Sequence, residues 1–242
     1  MRARTNMIKI KLADLIIDID NRYGFLERQC EDYTVKEGNA DISVRVTDEE
    51  IEEERKASEH SFSDGYLESI CAYRTICNQL PYHDAFLLHA SVVECDGVSY
   101  AFSAPSGTGK STHTRLWLET FGERARIING DKPIMRFVNG KLTVFGTPWC
   151  GKEGYNINTS SPFAALCFIN RAQENSIVRA DEGEAVVKLF NQILLPTEEE
   201  AIDKLFFLLD RMVVNYPIYE LYCNMQPEAA EVASNGMKGD IK

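Results

Sequence analysis

The stretch from Val98 to Asp131 constrains the fold more than any other. It reads VSYAFS, then APSGTG, then KSTHTRLWLETF, and after a short connection RARIINGD. That is a buried strand, a glycine-bearing turn, a helix and a second strand that ends on a carboxylate. A strand feeding a helix through such a turn belongs to α/β folds, in which the helix packs back onto the sheet. The turn also carries chemistry. Against the pattern GxxxxGK[ST], the run from Ala104 to Ser111 departs only at its first position, where alanine replaces glycine. Loops of this kind converge backbone N–H groups on a phosphate at the positive end of a helix. Ser106, Gly107, Thr108, Gly109, Lys110, Ser111 and Thr112 are the residues placed to touch it. Lys110 reaches the outer phosphates and Ser111 holds Mg²⁺. Ala104 makes only the turn out of the strand, which alanine tolerates if its φ stays negative. Nucleotide binding follows as an expectation. Asp131, just past Ile127 and Ile128, stands where a parallel sheet delivers a carboxylate to a metal beside the phosphates, as ligand or base.

Composition removes several function classes. The 242 residues are 44% hydrophobic and 26% charged, enough for a sizeable core in one large domain or a domain with a smaller appendage. No segment approaches the roughly 18 uninterrupted apolar residues of a membrane helix. The first residues run into Lys11 and Asp14 instead of an apolar signal core, so a cytoplasmic protein with no membrane partner is expected. A net charge of −11 repels polyanions and argues against a nucleic-acid partner. The seven cysteines are odd in number, scattered and never spaced CxxC, so neither a disulfide framework nor a zinc site is expected. Cys150, in a polar glycine-rich stretch, is read as a structural thiol.

The first 82 residues read as a small α+β region, with a soft boundary to a catalytic domain at 83–242. Ile8, Ile10 and Leu12 share one strand face, and Ile42, Val44 and Val46 another. Thr47 to Glu50 has capping-box spacing and opens an acidic helix through about Glu59, its DEEIEEE run read as a solvated face. A helix is expected over 64–80, then buried strands at FLLHASVVE and VSYAFS around an Asp96-Gly97 turn. A hairpin is expected at Asn139-Gly140 and a long polar loop at TPWCGKEGYNINTSSP. FAALCFI and IYELYC read as strands. Helices are expected near 182–194, over 197–214 with a second capping box from Thr197 to Glu200, and from Pro227.

These residues resemble the C-terminal domain of HPr kinase/phosphorylase and, more distantly, ATP-dependent phosphoenolpyruvate carboxykinase. His89 in LLHASVVECDG, SGTGKS at 106–111 and NGDKP at 129–133 follow one another in that family's order and at similar spacing. The resemblance covers roughly residues 86–135 well and the rest in outline. It implies an α/β fold with a P-loop-containing mixed sheet and flanking helices, ATP and Mg²⁺ as cofactors, and an activity that moves the γ-phosphoryl group of ATP to a hydroxyl. The acceptor would be a peptide, a protein or a small molecule, and the resemblance allows a homo-oligomer. Carried over residue by residue, Lys110 grips the transferring phosphoryl group and Ser111 ligates Mg²⁺. Asp131 is metal ligand or base, and His89 assists charge balance or proton movement.

The chain departs from the family in ways that matter. The family's acidic pair is Asp131-Lys132 here, which places a cation where a second carboxylate is expected. The glycine- and arginine-rich segments that serve phosphorolysis have no clear counterpart, and the first eighty residues do not resemble the family's N-terminal domain. Lys132, Arg115, Trp149, Lys152 and Glu153 are candidates to border a substrate. Arg115 shares the helix face of Ser111, His113 points elsewhere and Trp117 reads as core. Two alternatives stay open: a carboxykinase-like reaction on a small carboxylic acid, and a nucleotide-sensing protein with weak or no catalysis.

Overall fold

The computed structural model describes residues 6–58 and 60–238. Strands β1 (Asn6–Leu12) and β2 (Leu15–Asn21) form a hairpin through Ala13 and Asp14, both at positive φ, and β3 (Ile42–Arg45) adds parallel to β2. Ile8, Ile10, Leu12, Ile42 and Val44 all point inward, as their alternation predicts. The sequence LIIDIDN of β2 alternates just as clearly. Helices α1 (Gly24–Gln29), α2 (Asp48–Ala57) and α3 (Asp64–Gln79) complete this region. The first capping box forms: Glu50 N donates to Thr47 Oγ1 at 3.2 Å, and Thr47 N donates to Glu50 Oε2 at 2.7 Å. The acidic run is not wholly solvated, because Glu54 is buried and pairs with Arg74 of α3. α2 ends at Ala57, and Glu59 lies outside the described residues, as do residues 1–5.

A larger sheet carries the rest. Its strands are β4 (Ala85–Leu87), β5 (Ser91–Cys95), β6 (Val98–Ser103), β7 (Ala125–Asn129), β8 (Ile134–Val138), β9 (Lys141–Phe145), β10 (Ser160–Arg171), β11 (Ser176–Arg179) and β12 (Ile218–Cys223). Helices α4 (Lys110–Phe121), α5 (Glu182–Phe190), α6 (Glu199–Asn215) and α7 (Glu228–Lys238) flank it. The spatial order is β4-β8-β9-β10-β6-β5-β7, with β12 pairing both β10 and β11. The sheet is mixed and curled, and β10 is the reason. Its first residues, Ser160–Pro162, pair antiparallel with β9, while later ones pair parallel with β6 and β12. Asp96-Gly97 and Asn139-Gly140 adopt the left-handed φ values that their hairpins require.

Period-2 alternation assigns the two faces of the sheet. Val93, Tyr100, Phe102, Cys167 and Leu221 meet Leu116 and Trp117 of α4 and Ala229, Ala233 and Met237 of α7. Val92, Ala101, Leu166 and Phe168 meet Leu189 of α5 and Leu205, Leu208 and Met212 of α6. A third cluster joins the small sheet and α3 to Leu87, Ile134, Phe145 and Trp149, so one core runs across residue 83. No helix among the described residues is long and apolar enough to cross a membrane.

The structure corrects three expectations. FLLHASVVE is not one strand: it splits into β4 and β5 because the chain crosses there from one half of the sheet to the other, leaving His89 in the link. The sheet that presents Asp131 is not purely parallel as expected: β5 lies between β6 and β7, antiparallel to both, although β6 and β7 themselves run the same way. The Thr197 capping box does not form. α6 begins one residue later than the pattern placed it, with Glu198 at the cap position and no side-chain cap, so the threonine is out of register.

Candidate active site at the strand ends

β6 and β7 run in one direction with β5 reversed between them. The turn after β6, the turn after β7 and the link before β5 therefore meet at the same end of the sheet. The link and the second turn pair with each other: Ala90 N donates to Asp131 O at 3.0 Å and Leu88 N to Pro133 O at 3.3 Å. This backbone pairing sets His89 against Asp131, with Nε2 3.0 Å from Oδ1. The histidine backbone is fixed on both sides. Its N–H donates to Gln192 O at 2.8 Å, and its carbonyl accepts from Ser103 Oγ at 2.8 Å.

In the first turn, Ala104 is buried and keeps a negative φ, so the replaced glycine costs nothing there. Gly107 and Gly109 have φ of 77° and 125°, conformations that L side chains rarely adopt. Gly109 is the cap residue of α4 and has no side chain to offer its first amides, which leaves those donors for a ligand. Lys110 is buried, and its Nζ donates to Ala104 O at 3.0 Å. Burial lowers its pKa, Asp131 opposes that, and Lys132 adds to it.

Arg171, the last residue of β10, was missed in the sequence. Its Nε donates to Thr108 O at 3.0 Å and its guanidinium also bonds Gly107 O. The N–H and C=O of one planar peptide point opposite ways, so drawing Thr108 O toward Arg171 turns the Gly109 N–H to the other side. No local signal marks an arginine more than sixty residues away along the chain as the anchor of this loop.

The turn that carries Asp131 is built by two buried polar residues, Asn129 and Thr147, that the motif pattern does not include. Asn129 Oδ1 accepts from Asp131 N at 2.9 Å and from Lys132 N at 2.7 Å, and its Nδ2 donates to Thr147 O at 2.9 Å. Thr147 Oγ1 in turn donates to Lys132 O at 2.7 Å. A local clue existed, because an asparagine two residues before the chain reverses favours a side-chain-closed turn. Gly130 is required here for space: a Cβ would stand 2.8 Å from Cys150 O.

Burial works against a charged Asp131. The His89 hydrogen bond and the Lys132 ammonium, whose Nζ lies 2.5 Å from Oδ2, outweigh it and hold the carboxyl well below the usual carboxylate range. Because its folded pKa is depressed, the charged form stabilises the fold above about pH 4, and that contribution fades as pH falls below it. Lys132→Met removes one of the two opposing groups. The Asp131 carboxyl is then expected to titrate at higher pH, as read by carboxyl-carbon NMR; an unmoved titration would assign the whole depression to His89.

His89, Lys110, Ser111, Asp131, Lys132, Lys152 and Glu153 line one cleft of about 560 Å³, together with Ser106, Gly107, Gly109 and Thr112. Three lysines face two carboxylates there, a positive balance in a chain of net charge −11. Thr108 faces a neighbouring cleft instead. Trp149 and Arg115 line neither of these two clefts. Trp149 is buried, donates to Ser69 Oγ at 3.0 Å and packs on Tyr73 of α3, while Arg115 is exposed on α4. Trp149 therefore belongs to the brace behind the site. Lys152 and Glu153 stand at the rim, on a loop tied down by Gly130 N to Tyr155 O and Ile157 N to Ile128 O. All seven cysteines are free, and burial pushes the Cys150 thiol up, away from the reactive thiolate.

Among the described residues, no three His, Cys, Asp or Glu side chains gather to hold a metal. The Ser111 hydroxyl and the ionised Asp131 are hard oxygen donors in the same cleft. That pair would suit a magnesium ion, which prefers oxygen ligands.

No protein-family model matches the chain, and no curated protein matches it in sequence. Among solved structures, it is similar to the HPr(Ser) kinase/phosphatase from Coxiella burnetii. That match has 9% identity and a TM-score of 0.38, covering 63% of this chain and 97% of that one.

Proposed function

We propose that the protein is an ATP-dependent kinase that moves the γ-phosphoryl group to a hydroxyl on a peptide, a protein or a small molecule. One observation carries this reading: a glycine turn at a helix N-terminus, its lysine, and a His89–Asp131 pair open into the same cleft. Phosphoryl transfer needs little covalent help from a protein, since its transition state is loose and its charge is spread over the phosphoryl oxygens. Positioning and charge neutralisation are what this cleft offers. Lys110 leaves Ala104 O for the outer phosphates, and the α4 amides hold the inner ones. Ser111 and Asp131 would hold Mg²⁺, which would neutralise phosphate charge. The depressed pKa makes Asp131 a weak proton acceptor at neutral pH, so its work is to orient the acceptor hydroxyl and Mg²⁺, with His89 fixing the carboxylate.

The Lys132–Asp131 ion pair favours a second reading, a nucleotide sensor, because an ammonium occupies one carboxylate oxygen. Labelled ATP with Mg²⁺ and a panel of serine peptides and small alcohols separates the two. A kinase transfers label to one acceptor, which also stimulates ADP release. Tight ATP binding with no ADP from any acceptor supports the sensor, and absence of nucleotide binding overturns both.

A further inference from the structure

A second cleft of about 450 Å³ adjoins the first across the glycine turn, sharing Gly107, Gly109 and Thr112 with it. Its walls are apolar: Leu116 of α4, Ile169 of β10, Ala172, and the exposed thioether of Met225 just past β12. His113 also lines it and is 2% exposed. The indole N–H of Trp117 can only donate, and it lies 3.1 Å from His113 Nε2. Nε2 is therefore the acceptor, and the ring proton sits on Nδ1. Burial lowers the His113 pKa to about 3, so the ring stays neutral at physiological pH. Nδ1 has no hydrogen-bond partner among the described residues. A buried donor without an acceptor is costly, and this one belongs to a side chain in the wall of a cleft beside the glycine turn, just beneath the cleft surface. The polar neighbours do not supply that acceptor: Arg171 carries donors only, and no acceptor atom of the described residues lies within hydrogen-bond distance of Nδ1.

We propose that this cleft holds the nucleoside of the bound nucleotide, a purine ring lying between Leu116, Ile169 and Met225, with a small shift of the His113 ring uncovering Nδ1–H to donate to a ring nitrogen. The inference rests on the phosphate-loop reading and adds the position of the base and the residue that recognises it. Its size suits a flat heterocycle with its sugar, and the shared glycines lead directly to the phosphate cleft. His113 is thus a specificity-determining residue, although the helix pattern had set it apart from Ser111.

Calorimetric titration of the full chain with ATP and with inorganic triphosphate, each with Mg²⁺, tests the proposal. His113→Phe is expected to weaken ATP by about tenfold or more and to leave triphosphate affinity unchanged. That variant also strips Trp117 of its acceptor and risks the fold. Ala172→Phe, at a half-buried wall position, fills the cleft without touching that pair and is expected to give the same split. In a Trp149→Phe background, ATP but not triphosphate should shift the emission of Trp117 through its bond to His113. Unchanged ATP affinity in Ala172→Phe, or equal losses for ATP and triphosphate, overturns the proposal while the phosphate loop stands. Failure of the wild-type chain to bind either ligand overturns the phosphate-loop reading and this inference with it.

Discussion

Asp131→Asn is expected to bind ATP at least as tightly as the wild type and to lose phosphoryl transfer by about a hundredfold to a thousandfold. The two effects separate because the carboxylate does two things. In the proposed reaction it would be the hard donor that orients Mg²⁺ and the acceptor hydroxyl, and in the structure it pairs with Lys132, whose Nζ is 2.5 Å away. An amide keeps the shape and part of the hydrogen bonding to His89 but carries no charge. Lys132 is then released toward the phosphates, which favours binding of the anion. Binding by calorimetry and turnover by ADP release give the two readouts, and undiminished turnover would remove Asp131 from the chemistry. If affinity fell together with turnover, the residue would serve the phosphates rather than the transfer.

Gly109→Ala should abolish nucleotide binding, with a loss of a hundredfold or more, while lowering the melting temperature only slightly. At φ 125° a Cβ is strained wherever it points, at a cost of about 1–3 kcal/mol. Nothing lies within 4 Å of that Cβ, so the loop relieves the strain by turning away from its conformation instead of unfolding the core. The convergence of amides is lost and the fold is kept. Gly146 gives the contrast: its Cβ would stand 2.0 Å from Ile157 O, a backbone atom, so alanine there is expected to cost stability first. Calorimetry with ATP beside thermal melts of the two variants checks the distinction. A Gly109→Ala protein with normal affinity would show that the turn is no phosphate cradle.

Much of the fold was legible locally. VSYAFS, RARIIN and IYELYC became strands, the Asn139-Gly140 hairpin formed between β8 and β9, and KSTHTRLWLETF became α4 within its expected limits, because each segment's periodicity, turn residues and burial agree. The failures share a cause. FLLHASVVE is mostly apolar and has no glycine or proline to punctuate it, and such a run does not say where the chain changes partners. The Thr197 capping box has the right spacing, yet the start of α6 is decided by packing of its apolar face, and the threonine falls outside it. Trp149 lies in a polar, glycine-rich stretch that reads as a substrate loop. It is buried because α3 offers Tyr73 and Ser69 to receive it.

By itself, the sequence determined the chemistry that could be present: a glycine turn with its lysine and serine on a helix start, a histidine ahead of it, and a carboxylate at the end of the next strand. Those identities and their order are local facts. Only the tertiary structure decided that they face one cleft, because that depends on β5 lying reversed between β6 and β7, a pairing that no short-range pattern encodes. It also decided the state of the groups. Asp131 is held ionised by His89 and Lys132, the loop carbonyls are held by Arg171 from the end of β10, and His113 is left with a buried donor beside the glycine turn. Charge state, loop orientation and an unmet hydrogen bond all follow from which distant groups burial brings within 3 Å or so, and burial is a property of the folded chain.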